Sequence, residues 1–271
     1  MFQSILVPLD GSDQAEHALE AALVLAGRTG ASVHVMTTTW GADTEGPQQY
    51  LERLVAGEEG VAISRHVVGQ RFPAEAILGV AAELDDPLVC MSTHGRGGLA
   101  KTMLGSVAED VLRAAPGLVV LCGPAFDPAW PDPFGHAVAC YDGSPTAEVI
   151  VSPAVEWSRS FGMPLSFVEV LEPGALRRPA GGVGLSETAG LRALARRLDR
   201  EGVVANWEAV YGENPADSIV DFAARLPASL LVMSTHGRTG AAPVALGGVT
   251  LRVVRTSTCP VLVARSHQFE A

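Results

Sequence analysis

Met91-Ser92-Thr93-His94-Gly95-Arg96 continues the apolar run Leu88-Val89-Cys90, and the same six residues return as Met233-Ser234-Thr235-His236-Gly237-Arg238. Leu104-Gly105 returns as Leu246-Gly247, so both matches lie 142 residues apart. Upstream, Val7-Pro8-Leu9-Asp10-Gly11-Ser12 is matched by Ala139-Cys140-Tyr141-Asp142-Gly143-Ser144, 132 residues on. A chain that repeats in this way is two copies of one unit, and the difference between the two offsets makes the second copy ten residues longer. Aligning Val33-His34-Val35 with Val168-Glu169-Val170 gives an offset of 135. That alignment puts about seven of the extra residues after the second strand, in the Gly/Pro-rich stretch from Pro173 to Gly184.

Within each copy, short apolar runs alternate with helical patterns, which predicts α/β units with parallel sheets covered by helices. In the first copy strands are expected at Ile5–Leu9, Ser32–Thr37, Val61–Val68, Leu88–Met91 and Leu118–Leu121. Helices are expected at Gln14–Ala26, near Pro47–Ala56, at Pro73–Leu84 with proline in its first turn, and at Val107–Ala114. The second copy repeats the order and ends in Pro260-Val261-Leu262-Val263-Ala264. Between the copies, four prolines from Pro124 to Pro133 deny both helix and central strand. The expected division is 1–123, a semi-rigid Pro-rich linker at 124–134, and 135–271.

The chain has 271 residues with 48% hydrophobic and 18% charged, which suits ordinary packed cores. A formal net charge of −11 removes the broad basic footprint needed for nucleic acid, so nucleic-acid binding is not expected. No secretory signal pattern and no membrane-length apolar run is present, and the four cysteines lack C-x-x-C spacing. These features predict a cytoplasmic protein with reduced thiols and no membrane partner. No metal-ligand spacing occurs, and His34 reads as a satisfied core histidine.

A glycine-bearing loop that leaves a buried parallel strand and opens a helix presents backbone N–H groups and a positive dipole end to an anion. Gly95 and Gly105 permit close approach, the Ser106 hydroxyl can donate, and Val107 opens the helix. The first copy reads Ser92-Thr93-His94-Gly95, nine residues from Arg96 to Leu104, then Gly105-Ser106. This resembles the motif G-x-x-G, nine residues, then G and S or T, of ATP-binding universal stress proteins, with Ser92 in place of the leading glycine. In the second copy the motif ends in Gly247-Gly248, so the final hydroxyl is lost, and Thr250 is a candidate substitute donor.

The resemblance covers nearly the whole chain. It implies two tandem Rossmann-like domains of the adenine nucleotide alpha hydrolase type, each a five-stranded parallel sheet of order 3-2-1-4-5. It implies a nucleotide where that order reverses, at Pro8, Asp10, Val35, Met91, Ser92, His94, Gly95, Arg96, Gly105, Ser106 and Val107. In the second copy it implies Asp142, Val170, Met233, His236, Gly237, Gly247, Gly248 and Val249. It further implies ATP as ligand, with any Mg2+ carried by the nucleotide. The implied assembly is an intramolecular pseudo-dimer in which the fifth strands approach each other, with a homodimer as a further possibility.

Plainer readings stand beside these roles. Asp10-Gly11-Ser12 is also strand-to-helix turn chemistry, His94 a loop histidine, and Arg96-Gly97-Gly98 a surface loop or a phosphate contact. Val35 and Met91 are core residues in any parallel sheet, so their ligand role rests on the resemblance alone. The function implied is a regulatory stress-response module that binds an adenine nucleotide. The alternatives are a slow ATPase or phosphoryl-transfer enzyme, and a scaffold that binds no nucleotide. The single lysine, Lys101, and the lack of G-x-x-x-x-G-K-[ST] exclude a P-loop.

Overall fold

The computed structural model describes residues 1–41, 44–95, 104–128, 134–172, 188–226, 229–236 and 246–265. The chain forms two compact units, Met1–Trp130 and Pro131–Ala271. In the first, β1 (Ser4–Pro8), α1 (Asp13–Thr29), β2 (Ser32–Thr39), α2 (Glu45–Leu54) and β3 (Ile63–Gly69) are followed by α3 (Pro73–Ala82), β4 (Pro87–Ser92), α4 (Ser106–Ala114) and β5 (Val119–Cys122). The strands pair in parallel in the order β3-β2-β1-β4-β5, which is the expected 3-2-1-4-5.

The second unit contains β6 (His136–Cys140), a single 3-10 turn (Glu148–Ile150), α5 (Val151–Phe161), β7 (Leu165–Leu171), α6 (Ala189–Arg200) and β8 (Asn206–Tyr211). It continues with α7 (Pro215–Ala223), β9 (Ser229–Ser234), α8 (Gly248–Thr256) and β10 (Val261–Ala264). Its order, β8-β7-β6-β9-β10, is the same, again with parallel pairs.

The inner strands are apolar on both faces because helices cover both. Ile5, Leu6, Val7, Val89 and Cys90 are fully buried. Helix α1 packs an alanine-rich face, Ala15, Ala18, Ala22 and Ala26 with Leu19 and Leu25, which lets its axis approach the sheet closely. Its ends are specified locally. Ser12 caps the start by accepting from the Ala15 amide, Asp13 and Glu16 complement the dipole, and Gly30 ends it in the left-handed region at φ 72°.

The sheet register corrects the alignment of the two copies. Pro8 pairs with Met36 and Cys140 with Val168. The Leu9 amide donates to Met36 at 2.8 Å, and the Tyr141 amide donates to Val168 at 2.9 Å. The second strands are therefore related by 132 residues, not 135, and all ten extra residues fall between β7 and β8. Hence Val35 corresponds to Phe167, Thr37 to Glu169 and Thr38 to Val170. The stretch Pro173–Gly184, expected to hold part of the insertion, lies outside the described residues.

The expected linker also contributes to packing. Phe126 is buried, and Phe134 is fully buried with its ring 6.4 Å from that of Trp157. The core of the second unit thus extends into the stretch expected to be a spacer.

His34 is half-buried rather than sealed in the core. Its Nδ1 lies 3.0 Å from Nε2 of His66 on β3, and its Nε2 lies 3.0 Å from the Ser32 hydroxyl. Burial, and secondarily the neighbouring His66, pushes its pKa below the usual 6.5. In the second unit burial does the same to His136, whose Nε2 lies 2.9 Å from the Ser166 hydroxyl. The unfolded chain takes up protons at both sites near pH 6.5, whereas the folded chain does so only at lower pH. The folded state therefore loses stability as pH falls below that value. Urea midpoints measured from pH 7.5 to 5.5 should decline, and His34→Gln with His136→Gln should flatten the decline; an unchanged slope in the double variant would refute this origin.

Candidate functional site

The reversal of strand order between β1 and β4 opens a crevice at the carboxyl edge of the first sheet, the location where open α/β sheets leave room for a ligand. A cavity of about 470 Å³ occupies it. One wall is Pro8, Leu9 and Asp10 at and beyond the end of β1, with Met36, Thr37 and Thr38 from β2 and Pro73 and Ile77 from α3. The other is Met91 to Gly95 at and beyond the end of β4, with Leu104 to Ala108 at the start of α4. Of the residues expected in the first copy, Pro8, Asp10, Met91, Ser92, His94, Gly95, Gly105, Ser106 and Val107 all line this cavity.

Val35 does not. Its side chain is fully buried between sheet and helix layers, because alternation along β2 turns it into the core. The β2 wall comes from the next three residues instead. Arg96 lies outside the described residues. Thr37 and Thr38 were not expected from sequence; two polar residues closing an apolar strand are the signal that could have marked them.

Two close approaches shape the loop. The Gly105 amide donates to the Thr93 carbonyl at 3.0 Å, and a Cβ on Gly105 would sit 2.5 Å from that oxygen. A Cβ on Gly95 would sit 1.9 Å from Oδ2 of Asp10. Gly105 is at φ −62°, so its need is for space rather than for a special torsion. Helix α4 has no side-chain cap, which leaves its first-turn N–H groups directed at the cavity end.

Ser92 clasps the start of the loop, its hydroxyl donating to the His94 carbonyl at 2.9 Å. Asp10 bridges the turn, its Oδ1 accepting from the Ser12 amide at 3.0 Å and the Ser12 hydroxyl at 2.6 Å. Turn chemistry and a place in the cavity wall are therefore both properties of Asp10. His94 holds Nδ1 2.9 Å from the Thr93 hydroxyl, while its buried Nε2 has no hydrogen-bond partner among the described residues.

The second unit builds the same frame with different contents. Asp142 accepts from the Ser144 amide at 3.0 Å, Ser234 donates to the His236 carbonyl at 2.6 Å, and the Gly247 amide donates to Thr235 at 2.7 Å. Met233 is buried at the end of β9, Gly248 opens α8 and Val249 is exposed in its first turn. Gly237 lies outside the described residues. Thr250 is not a substitute donor: it is buried, and its hydroxyl donates to the Ser234 carbonyl at 3.0 Å. Cys140, in place of Pro8, has its thiol pushed up to about 12 by burial, so it stays neutral and unreactive. Val170 stands at the position of Thr38, and the buried Glu169 stands at the position of Thr37.

Among the described residues no group of three or more His, Cys, Asp or Glu side chains could hold a metal ion, and no helix is long and apolar enough to cross a membrane. Two doubly wound units, each with a glycine-bearing loop at its switch point, define a tandem α/β architecture of Rossmann-like domains. The chain belongs to the universal stress protein family, whose model matches residues 1–122 and 133–265. It is 30% identical over 250 residues to a universal stress protein of Mycobacterium tuberculosis (strain ATCC 25618 / H37Rv), covering 84% of this chain and 80% of that one. A universal stress protein of Archaeoglobus fulgidus DSM 4304 shares the fold over 97% of this chain and 98% of its own, with a TM-score of 0.70 at 21% identity. A putative universal stress protein of Pseudomonas aeruginosa UCBPP-PA14 covers 97% and 93%, with a TM-score of 0.67 at 21% identity.

The second loop is less tightly packed, since a Cβ on Gly247 would lie 3.4 Å from the Thr235 carbonyl, an ordinary contact. Both glycines occupy the helix N-cap, so the cap cost of alanine cancels between them. Gly105→Ala should therefore destabilise its unit by about 1–3 kcal/mol more than Gly247→Ala destabilises its own. Denaturant unfolding of the two variants checks this, and equal losses would contradict the packing difference.

Proposed function

We propose that the first unit binds ATP or a related adenine nucleotide and that the protein acts as a regulatory stress-response module. The observation that carries this reading is the cavity at the β1–β4 switch point, which ends on the uncapped first turn of α4. Phosphates are held there by the N–H groups of Gly105, Ser106 and Val107 and by the Ser106 hydroxyl. Any Mg2+ rides on the phosphate oxygens, with water completing its shell. An ionised Asp10 can only accept hydrogen bonds, so it suits ribose hydroxyls rather than phosphate. The base lies toward Pro8, Met36, Thr37, Thr38 and Ile77. The family and the free thiols support a cytoplasmic location, and sedimentation of the purified chain tests for a homodimer.

The second unit binds nucleotide more weakly. Gly248 lacks the hydroxyl of Ser106, and Glu169 puts a carboxylate where the first cavity has the Thr37 hydroxyl, which opposes an anionic ligand. Mass spectrometry of nucleotide retained through purification, followed by calorimetry with ATP, AMP and cyclic AMP, tests the reading. Retention of none and heats at background would defeat it.

Ser106→Ala removes a hydrogen bond to a charged group, about 1.5–3 kcal/mol, and should weaken the first site roughly tenfold or more. No change on this substitution would overturn the phosphate assignment.

Turnover is expected to be absent or slow. The only charged side chain among the described lining residues is Asp10, and backbone dipoles hold ground state and transition state about equally. Phosphate release at about 1 s⁻¹ or faster that is lost in Asp10→Asn or His94→Ala would establish an enzyme instead.

A further inference from the structure

Trp40 and Phe72 are 62% and 65% exposed, and their rings meet edge to face with centroids 5.3 Å apart. Both adjoin the cavity wall in sequence. Trp40 is two residues beyond Thr38 at the end of β2, and Phe72 immediately precedes Pro73 at the start of α3. The Gln70 amide donates to the Thr39 carbonyl at 2.9 Å, which ties the two strand ends together beneath the pair. The pair thus extends the wall of β2 and α3, on the side of β1 away from α4.

The second unit shows what the fold requires at these two places. By the register above, Trp40 corresponds to Glu172, and Phe72 to Asn214, each directly before the proline that begins its helix. Asn214 caps α7, its side chain accepting from the amides of Ala216 and Asp217 at 3.1 and 3.3 Å. Phe72 occupies the same N-cap position in α3 and makes no capping hydrogen bond. The first unit has therefore given up a helix cap and exposed two large aromatic rings where its twin carries polar side chains. Local rules broken at one place, next to a cavity, mark a position selected for something other than stability.

We propose that Trp40 and Phe72 form an aromatic platform that stacks on the base of a nucleotide held in the first cavity. This rests on the nucleotide reading above and assigns the base-side determinants of that site. The occupant is argued from position and shape. The proposed anion-binding end is at α4, the pair sits next in the chain to the lining residues Thr38 and Pro73 at the ends of β2 and α3, and a planar base is the part of a nucleotide left to reach it. Stacking on aromatic side chains is tolerant of base identity, because every base has a π-face. The platform therefore contributes affinity for a nucleotide over a bare polyphosphate, while adenine selectivity falls to the polar wall.

The test is calorimetry of the full chain with ATP, GTP and inorganic triphosphate, with tryptophan emission recorded in parallel. Trp40→Ala should weaken ATP and GTP by roughly fivefold to a hundredfold and leave inorganic triphosphate unchanged. Emission should be quenched on ATP addition in the wild type, and the Trp40→Phe variant should lose that quenching while keeping much of the affinity. Phe72→Asn copies the second unit: it should weaken ATP yet raise the thermal midpoint by about 2–6 °C as the cap is restored. A purely structural role would leave ATP affinity unchanged and lower the midpoint. ATP affinity unchanged in Trp40→Ala and Phe72→Asn, with Ser106→Ala still weakened, overturns the platform and leaves the nucleotide site standing. Absence of any nucleotide binding by the wild type overturns both.

Discussion

The hydrogen bond from the Gly105 amide to the Thr93 carbonyl is the constraint on which the first unit's site depends. It ties the N-cap of a helix to the residue that follows a strand across a loop, with no space for a side chain between them. Once that contact is made, α4 must begin where β4 ends, and its free N–H groups must open on the crevice. Gly95 extends the same logic to β1, since only a hydrogen on its Cα leaves room for the Asp10 carboxylate. Asp10 is in turn held by the turn that starts α1. The cavity is thus a by-product of three close approaches between backbone segments, and the side chains around it can change without moving them.

The second unit shows how far they can change. Its corresponding bond, from Gly247 to Thr235, is kept at 2.7 Å, as are the Asp142 turn and the Ser234 clasp. Around this retained frame the hydroxyl of Ser106 has become Gly248, Thr37 and Thr38 have become Glu169 and Val170, and Thr250 has turned its hydroxyl inward to a strand carbonyl. Frame and contents are separable because they rest on different interactions. The frame is backbone hydrogen bonding and steric exclusion, which a mutation breaks outright. The contents are single polar contacts, each worth about 0.5–3 kcal/mol net depending on the partner's charge, which can be exchanged one at a time.

The parts of the fold that were legible in sequence are those encoded by repetition and by punctuation. The duplicated Met-Ser-Thr-His-Gly-Arg, the prolines opening α3 and α7, and the buried runs of β4 and β9 fixed element order and strand type. The one misreading of register arose in β2. Val-His-Val and Val-Glu-Val share an alternating pattern, but period-2 alternation says which face a residue takes and not which residue it pairs with. Hydrogen bonds to Met36 and Val168 decide that, and they are invisible in one dimension. Val35 came from the resemblance alone and lies one residue too early for the cavity, whose β2 wall is Met36, Thr37 and Thr38. Trp40 and Phe72 escaped notice for another reason: exposed residues at element ends belong to no periodic pattern, and only comparison with their register partners gives them meaning.

The chemistry of the proposed site follows from how its attraction for anions is made. The chain carries a net charge of −11, and Asp10 is the only charged side chain among the described residues of the cavity wall. Attraction for phosphate must then come from oriented peptide dipoles at α4, which are fixed in direction and act within about the first turn. Such dipoles need no counter-charge, so the proposed site is compatible with an acidic protein. They also cannot move with a reacting group, as a lysine or a metal-bound water can. A cradle of this kind holds a polyphosphate in place without following it toward a transition state, and what distinguishes one bound nucleotide from another is left to the wall on the far side, where β2 and α3 end.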